Sequence, residues 1–277
     1  ARNPGIILAG PATARRPDHW FEDAVAGLKG QLQIATSHTY ALSGGSTKPT
    51  SANFPSIENL LLPATMAKDV AMVDEHLAAA KAAGMRYRLA ECNSVSNGGR
   101  TGVSDTFVAA LWATDFLFSV AERGADGINF HCNLKPGSYS PVSWSKTESR
   151  YDVHPLYYAM LAFKEAGRGR VLPTHVKCAA NVTAHATIGA DGKVRVLLTN
   201  KDLSKNVVAR LATGRTQGTV TRLLAPAANA KADITFAGAA TDATGKWAAK
   251  TSETIGGSGS DITITLPAGS AAVVTLD

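Results

Sequence analysis

The sequence predicts an α/β protein of the (β/α)8 TIM-barrel type, holding only the second half of the barrel, about four βα units over residues 1–167, followed by an antiparallel β-sandwich over residues 168–277. Two observations carry this prediction. Up to residue 167, short apolar runs alternate with longer stretches of helical period, the pattern of parallel βα units. Beyond it the period changes to two, with Gly, Asn and Asp turns between β-branched segments. A closed barrel needs eight strands and about 250 residues. Four units leave two open sheet edges, so the other half is expected from another polypeptide or from the other part of a split or cleaved protein.

The first unit joins an apolar run at 5–10 (GIILAG) to a helix over 17–30, where Trp20, Phe21, Val25 and Leu28 recur at near-helical spacing. The second strand is QLQIATSHTYA (31–41), and the helix over 57–83 is interrupted at Pro63 and stopped at Gly84. RYRLAE (86–91) is the third strand, ending on Glu91. Ser104 and Asp105 open an apolar helix that Gly124 stops, ADGINFHC (125–132) is the fourth strand, and VHPLYYAMLAFKEAG closes this half at Gly167. Strands are then expected at 193–200, 206–212, 232–238, 261–266 and 271–276, with a hairpin turn at Asp191-Gly192 that lacks the further carboxylates of a calcium site. The stretch 226–260, rich in Ala, Gly, Thr and Ser, reads as surface loops.

With 45% apolar residues among 277, the chain has the composition of a globular protein. No apolar run reaches the roughly 18–20 residues of a membrane span, and the first residues lack the layout of a signal peptide. The absence of an initial Met marks the chain as a mature, processed or truncated product. A formal charge of +6 suits an acidic partner, but the basic residues are scattered, which argues against nucleic acid. Cys92, Cys132 and Cys178 have no CxxC spacing and an odd count, so neither a zinc site nor a disulfide framework is indicated; they read as buried free thiols, with a Cys92–Cys132 bridge left open. There is no GxSxG, P-loop or GxGxxG, and His131 with His154 lacks metal-ligand spacing, so no metal and no cofactor is expected.

In parallel barrels the chemistry sits at the C-terminal ends of the strands, which here points to His38, Tyr40, Glu91, His131 and Asn133. Glu is rarely buried without a partner. Glu91, beside a loop with Gly98 and Gly99, is a candidate nucleophile or base, and equally a salt-bridge partner of Arg86, Arg88 or Arg100. His38 reads also as a rim histidine and Tyr40 as a packing aromatic with a satisfied hydroxyl.

Taken together, AECNSVSNGGRTGVSDTFVAALWATDFLF, the upstream SHTYA and the downstream GINFHCNLKPGSYSPV resemble the second half of the catalytic barrel of glycoside hydrolase family 79, which holds heparanases and β-glucuronidases. The resemblance, strongest to bacterial heparanase-like members, extends to the β-sandwich. It implies that Glu91 is the nucleophile of a retaining glycosidase, at the end of the seventh barrel strand. It implies that His38 and Tyr40 are the family's His-x-Tyr, Tyr40 bonding the nucleophile. Asn97 and Gly98 would lie in a substrate-contacting loop, and Gly137 and Tyr139 would bind the uronate carboxylate. No residue matches the family's acid/base Glu, so a segment absent from this chain is expected to supply it, and the chain alone is expected to be inactive. The implied activity is endo-cleavage of heparan-sulfate-like glycosaminoglycans by a secreted or periplasmic enzyme. The alternatives are an exo-acting β-glucuronidase, a non-catalytic fragment that binds polyanionic glycans, and a homodimer of half barrels.

Overall fold

The computed structural model describes residues 3, 5–14, 19–134, 138–242, 244–257 and 261–277. Strands β1 (Ala9–Ala14), β2 (Ile34–Leu42), β3 (Arg86–Val95) and β4 (Ile128–Phe130) form a parallel sheet in that spatial order. Helices α1 (Trp20–Gly27), α2 (Ile57–Leu61), α3 (Pro63–Ala82) and α4 (Phe107–Ala121) lie in its crossovers. Pro63 stands in the first turn of α3, where its missing N–H costs nothing. At the other end Gly84, at φ +73°, lets Met85 N–H reach back to Ala80 O (2.9 Å) and close the helix. On α1, Phe21 and Val25 point inward and Trp20 outward.

Helix α4 is buried from Phe107 to Val120, which requires packing on both flanks. One flank is the parallel sheet, through Leu89 and Cys92. The other is the β domain, whose Leu197, Leu223, Ala271 and Val273 join the same core. Each fully buried Leu or Phe there contributes about 1.5–3 kcal/mol.

After β4 the chain makes a hairpin of β5 (Val142–Ser145) and β6 (Arg150–Val153), which periodicity does not reveal, then helix α5 (Pro155–Ala166). The β domain comprises β7 (Arg170–Leu172), β8 (Val182–Ile188), β9 (Val194–Asn200), β10 (Val207–Ala212), β11 (Gln217–Leu224), β12 (Thr235–Phe236), β13 (Glu253–Gly256), β14 (Asp261–Leu266) and β15 (Ser270–Leu276). The larger sheet has the order β12-β11-β15-β9-β8-β7, with β13 also paired to β11. Among the described residues its second layer is β10 and β14, whose Leu211, Ile262, Ile264 and Leu266 pack on Val196, Leu198, Val220 and Val274. Strand β9 alternates between the two cores, Val194, Val196 and Leu198 facing β10 and β14, Leu197 facing the helices. Among the described residues no helix is long and apolar enough to cross a membrane.

Several expectations are corrected. The first strand is 9–14, not 5–10: Ile6 and Ile7 are exposed, and pairing begins at Ala9 opposite Ile34. Pro11 is accommodated because β1 is the edge of the described sheet. Helix α4 starts at Phe107; Ser104 and Asp105 precede it and brace the loop, Ser104 Oγ accepting from Arg100 N (3.0 Å) and Asp105 Oδ1 from Gly102 N (2.6 Å). The expected strand at 232–238 shrinks to two residues, because Asp233, Ala237 and Gly238 all take positive φ. Cys92 and Cys132 are not bridged: Cys92 points into the core, while Cys132 and Cys178 are exposed thiols.

Candidate active site

Strand β3 does not end at Glu91 but runs on to Val95. Opposite β2, Ser37 pairs with Leu89 and His38 with Glu91, so Ala90 is an extra residue without a partner. That bulge decides where the carboxylate goes. Tyr87 and Leu89 face the helices and belong to the core. Strict alternation would send Glu91 there too, but the inserted residue reverses the phase, and Cys92 takes the core position.

Strand β2 supplies the partners by ordinary alternation. Ser37 and Thr39 face α3, where they bond His76 Nδ1 (2.9 Å) and Asp69 Oδ1 (3.1 Å). His38 and Tyr40 therefore face the other way, beside Glu91. Tyr40 donates its hydroxyl to Glu91 Oε1 at 2.6 Å, and His38 Nδ1 lies 3.5 Å from Glu91 Oε2. The Glu91 side chain is 30% exposed, so it is held by protein and open to a ligand. Burial, and then the bond to Glu91, raise the Tyr40 pKa, so the phenol remains a neutral donor well into the alkaline range.

None of the ion pairs among the described residues joins Glu91 to Arg86, Arg88 or Arg100. Arg86 pairs with Asp126 (3.0 Å) and Arg88 bonds Asn129 Oδ1 (2.7 Å), both on the β4 side.

Tyr139 is buried, its ring 6.1 Å from that of Tyr40 and its hydroxyl bonded to Nδ1 of His131. Asn93, a residue that strand-end reasoning overlooks, holds this corner by donating its amide to the carbonyls of His131 (3.0 Å) and Tyr139 (3.3 Å). Asn97, Gly98 and Gly99 follow in succession at φ +60°, +92° and +94°. Gly99 is required as glycine, since a Cβ there would lie 2.9 Å from Tyr139 N. Gly137 lies outside the described residues. A cavity of about 310 Å³ borders His38 and Tyr40 and reaches Asp69 and Lys68 on α3.

Elsewhere, a cavity of about 600 Å³ between α3, α4 and β8 is lined by the ionic cluster Asp115, His185 and Lys201. Nothing there resembles a strand-end site. His19, Glu22 and Glu75, from the α1 and α3 surface, have ligand atoms within 4.8 Å of one another, a grouping that sequence spacing does not show.

Residues 184–273 match the glycosyl hydrolase family 79 C-terminal beta domain. The chain is 31% identical over 140 residues to a β-glucuronidase of Neurospora crassa, an alignment of 48% of this chain and 23% of that protein. It is 28% identical over 184 residues to a β-glucuronidase of Aspergillus niger, covering 63% and 33%. In three dimensions it superposes on a 4-O-α-L-rhamnosyl-β-D-glucuronidase from Fusarium oxysporum with a TM-score of 0.79 and 24% identity, over 95% of this chain and 58% of that one. On an arabinofuranosidase from Xanthomonas axonopodis pv. citri the TM-score is 0.68 at 16% identity, over 98% and 58%. At these identities the structural likeness is one of fold, part of a barrel joined to a β domain. The chain thus spans a third or less of the curated relatives, and under two thirds of these structures.

Proposed function

This chain belongs to glycoside hydrolase family 79, and we propose that it carries the nucleophile of a retaining β-glucuronidase, with the barrel half ending at residue 167 and the β domain beginning at 168. The observation that carries the reading is Glu91, a half-buried carboxylate between the Tyr40 hydroxyl and the His38 ring, on the face of a parallel strand turned away from the helices. Glu91 attacks the anomeric carbon of a β-glucuronoside while a second carboxyl protonates the departing oxygen, giving a covalent glycosyl ester. Water, deprotonated by that second group, then displaces Glu91 with net retention. The two carboxyls must stand about 5–5.5 Å apart. The acid/base Glu comes from a segment of the enzyme that this chain does not include, so the chain alone turns over poorly.

Within this mechanism Tyr40 orients the nucleophile, and its neutral phenol supplies a bond to the carboxylate at every physiological pH. His38 is the second neighbour of the same carboxylate. The Asn97-Gly98 turn and Tyr139, with Gly137, contact the glucuronate, and His131 holds the Tyr139 hydroxyl. No metal or cofactor enters these steps.

The substrate class is a glucuronide. The narrower reading is endo-cleavage of heparan-sulfate-like chains by a secreted or periplasmic enzyme, and the formal charge of +6 favours such a polyanion. A mechanism-based glucuronic-acid probe should label the Glu91 peptide of the full-length enzyme; labelling elsewhere, or none, would overturn the assignment. Digestion of a glucuronate-containing polymer separates the modes, since endo action shortens chains at once and exo action releases free glucuronate first.

A further inference from the structure

The hairpin after β4 takes no part in the steps above. Trp144 on β5 and Tyr151 on β6 are directly paired across it, with ring centroids 4.8 Å apart at 61°. Such edge-to-face pairs ordinarily help to seal a core. Here Tyr151 is 56% exposed, and with the exposed Leu134 the two rings line a groove of about 740 Å³ rimmed by Ser145, Lys146 and Thr147. The hairpin is held from behind: the backbone N–H of Trp144 donates to Leu134 O (2.9 Å), and the buried Ser143 hydroxyl bonds His154 Nε2 (2.7 Å).

The groove lies past the C-terminal end of β4, in the parallel sheet whose neighbouring strands carry Tyr40 and Glu91. It reaches Asn133, whose side-chain oxygen accepts from Ser138 (3.1 Å) and Ser140 (3.2 Å), the residues on either side of Tyr139. Tyr139 in turn adjoins Tyr40, the residue bonded to Glu91. Aromatic faces bordered by hydroxyls suit a pyranose, which offers an apolar C–H face and a polar rim. Charge narrows the choice. Arg150 is held by Glu148 (2.7 Å) and Asp152 (2.9 Å), whereas Lys146 is in none of the ion pairs among the described residues and can meet an anionic substituent.

We propose that Trp144 and Tyr151 form the platform for the sugar on the leaving-group side of the scissile bond, and that Lys146 favours an acidic or sulfated one. The proposal rests on the glucuronidase reading. Binding at such a remote position raises the rate when it is realised in the transition state, so the platform should govern substrate choice.

The test compares two substrates of the full-length enzyme, a glucuronosyl hexosamine disaccharide and β-glucuronyl fluoride, which has no leaving sugar. In Trp144→Ala the ratio of kcat/KM for the disaccharide to that for the fluoride should fall at least about tenfold. Trp144→Phe, which keeps an aromatic face, should retain most of it. A ratio within about twofold of wild type in Trp144→Ala overturns the platform, and the fluoride rate itself reports that the variant is folded. A wild-type enzyme that hydrolyses neither substrate overturns the glucuronidase reading instead.

Discussion

Tyr40 and Glu91, 51 residues apart in the chain, meet at 2.6 Å across two neighbouring parallel strands. Their meeting needs both the ordinary alternation of β2 and the one-residue bulge of β3. A hydrogen bond to an ionised carboxylate is roughly twice as strong as a neutral one. The pair is therefore a geometric constraint on Glu91.

Tyr40→Phe removes that bond, together with the contact of the same hydroxyl with Tyr139, and keeps the ring. Hydrogen bonds to charged groups are worth about 1.5–3 kcal/mol, so kcat/KM of the full-length enzyme on an aryl glucuronide should fall on the order of 10- to 100-fold. An unchanged rate would take Tyr40 out of the chemistry.

Glu91→Ala should lower kcat by at least about 10⁴-fold, the scale of losing a covalent nucleophile. The space it leaves can admit a small anion. Azide should then restore turnover of an activated glucuronide and yield the glucuronyl azide of inverted configuration. Recovery without azide incorporation would show that Glu91 is not the attacking group.

Deleting Ala90 would remove the bulge yet keep Glu91 on the side of His38 and Tyr40, because Leu89, opposite Ser37, and Glu91, opposite His38, would then be consecutive residues in plain alternation. The deletion variant of the full-length enzyme should therefore still take the probe label at Glu91. Loss of the label in a variant that remains folded by circular dichroism would show that the bulge itself, and not only the face on which the residue stands, positions the carboxylate.

The same bulge explains what the sequence could and could not disclose. The order of βα units, the interruption at Pro63 and the stop at Gly84 were legible because period and turn chemistry agree there. His38, Tyr40 and Glu91 could be singled out because polar residues at the ends of apolar runs stand out. Their mutual approach could not, since Tyr87, Leu89 and Glu91 alternate perfectly and alternation alone places the carboxylate in the core. Arg86 and Arg88 were plausible partners only until β4 brought Asp126 and Asn129 beside them. The hairpin of β5 and β6 was hidden for a similar reason: its strands are mostly polar, and its stability comes from Trp144 meeting Tyr151 and from Ser143 reaching His154.

A final prediction concerns the ionic cluster that fastens α4 to the β domain. Asp115 is buried; it accepts from His185 Nε2 (2.9 Å) and from Lys201 Nζ, and His185 Nδ1 bonds Glu122 Oε1 (2.7 Å). An imidazole with a carboxylate on each nitrogen must carry both protons. Burial opposes that charge, but the bonds to Asp115 and Glu122 prevail and raise the His185 pKa to about 9. Burial likewise opposes the Asp115 charge, and His185 and Lys201 override it to bring that pKa to about 2. The His185 contribution is complete below its ordinary value of 6.5 and is lost as pH rises through about 9. That of Asp115 is complete above 3.8 and is lost as pH falls through about 2. The melting temperature should therefore be flat between about 4 and 6.5 and decline on both sides, by on the order of 5 °C at pH 9.5. His185→Gln should lower the plateau and flatten the alkaline decline. Asp115→Asn, which leaves Lys201 and His185 without their shared anion, should cost about 3–5 kcal/mol. An alkaline decline that survives His185→Gln unchanged would assign the titration to another group and leave the cluster a purely structural tie.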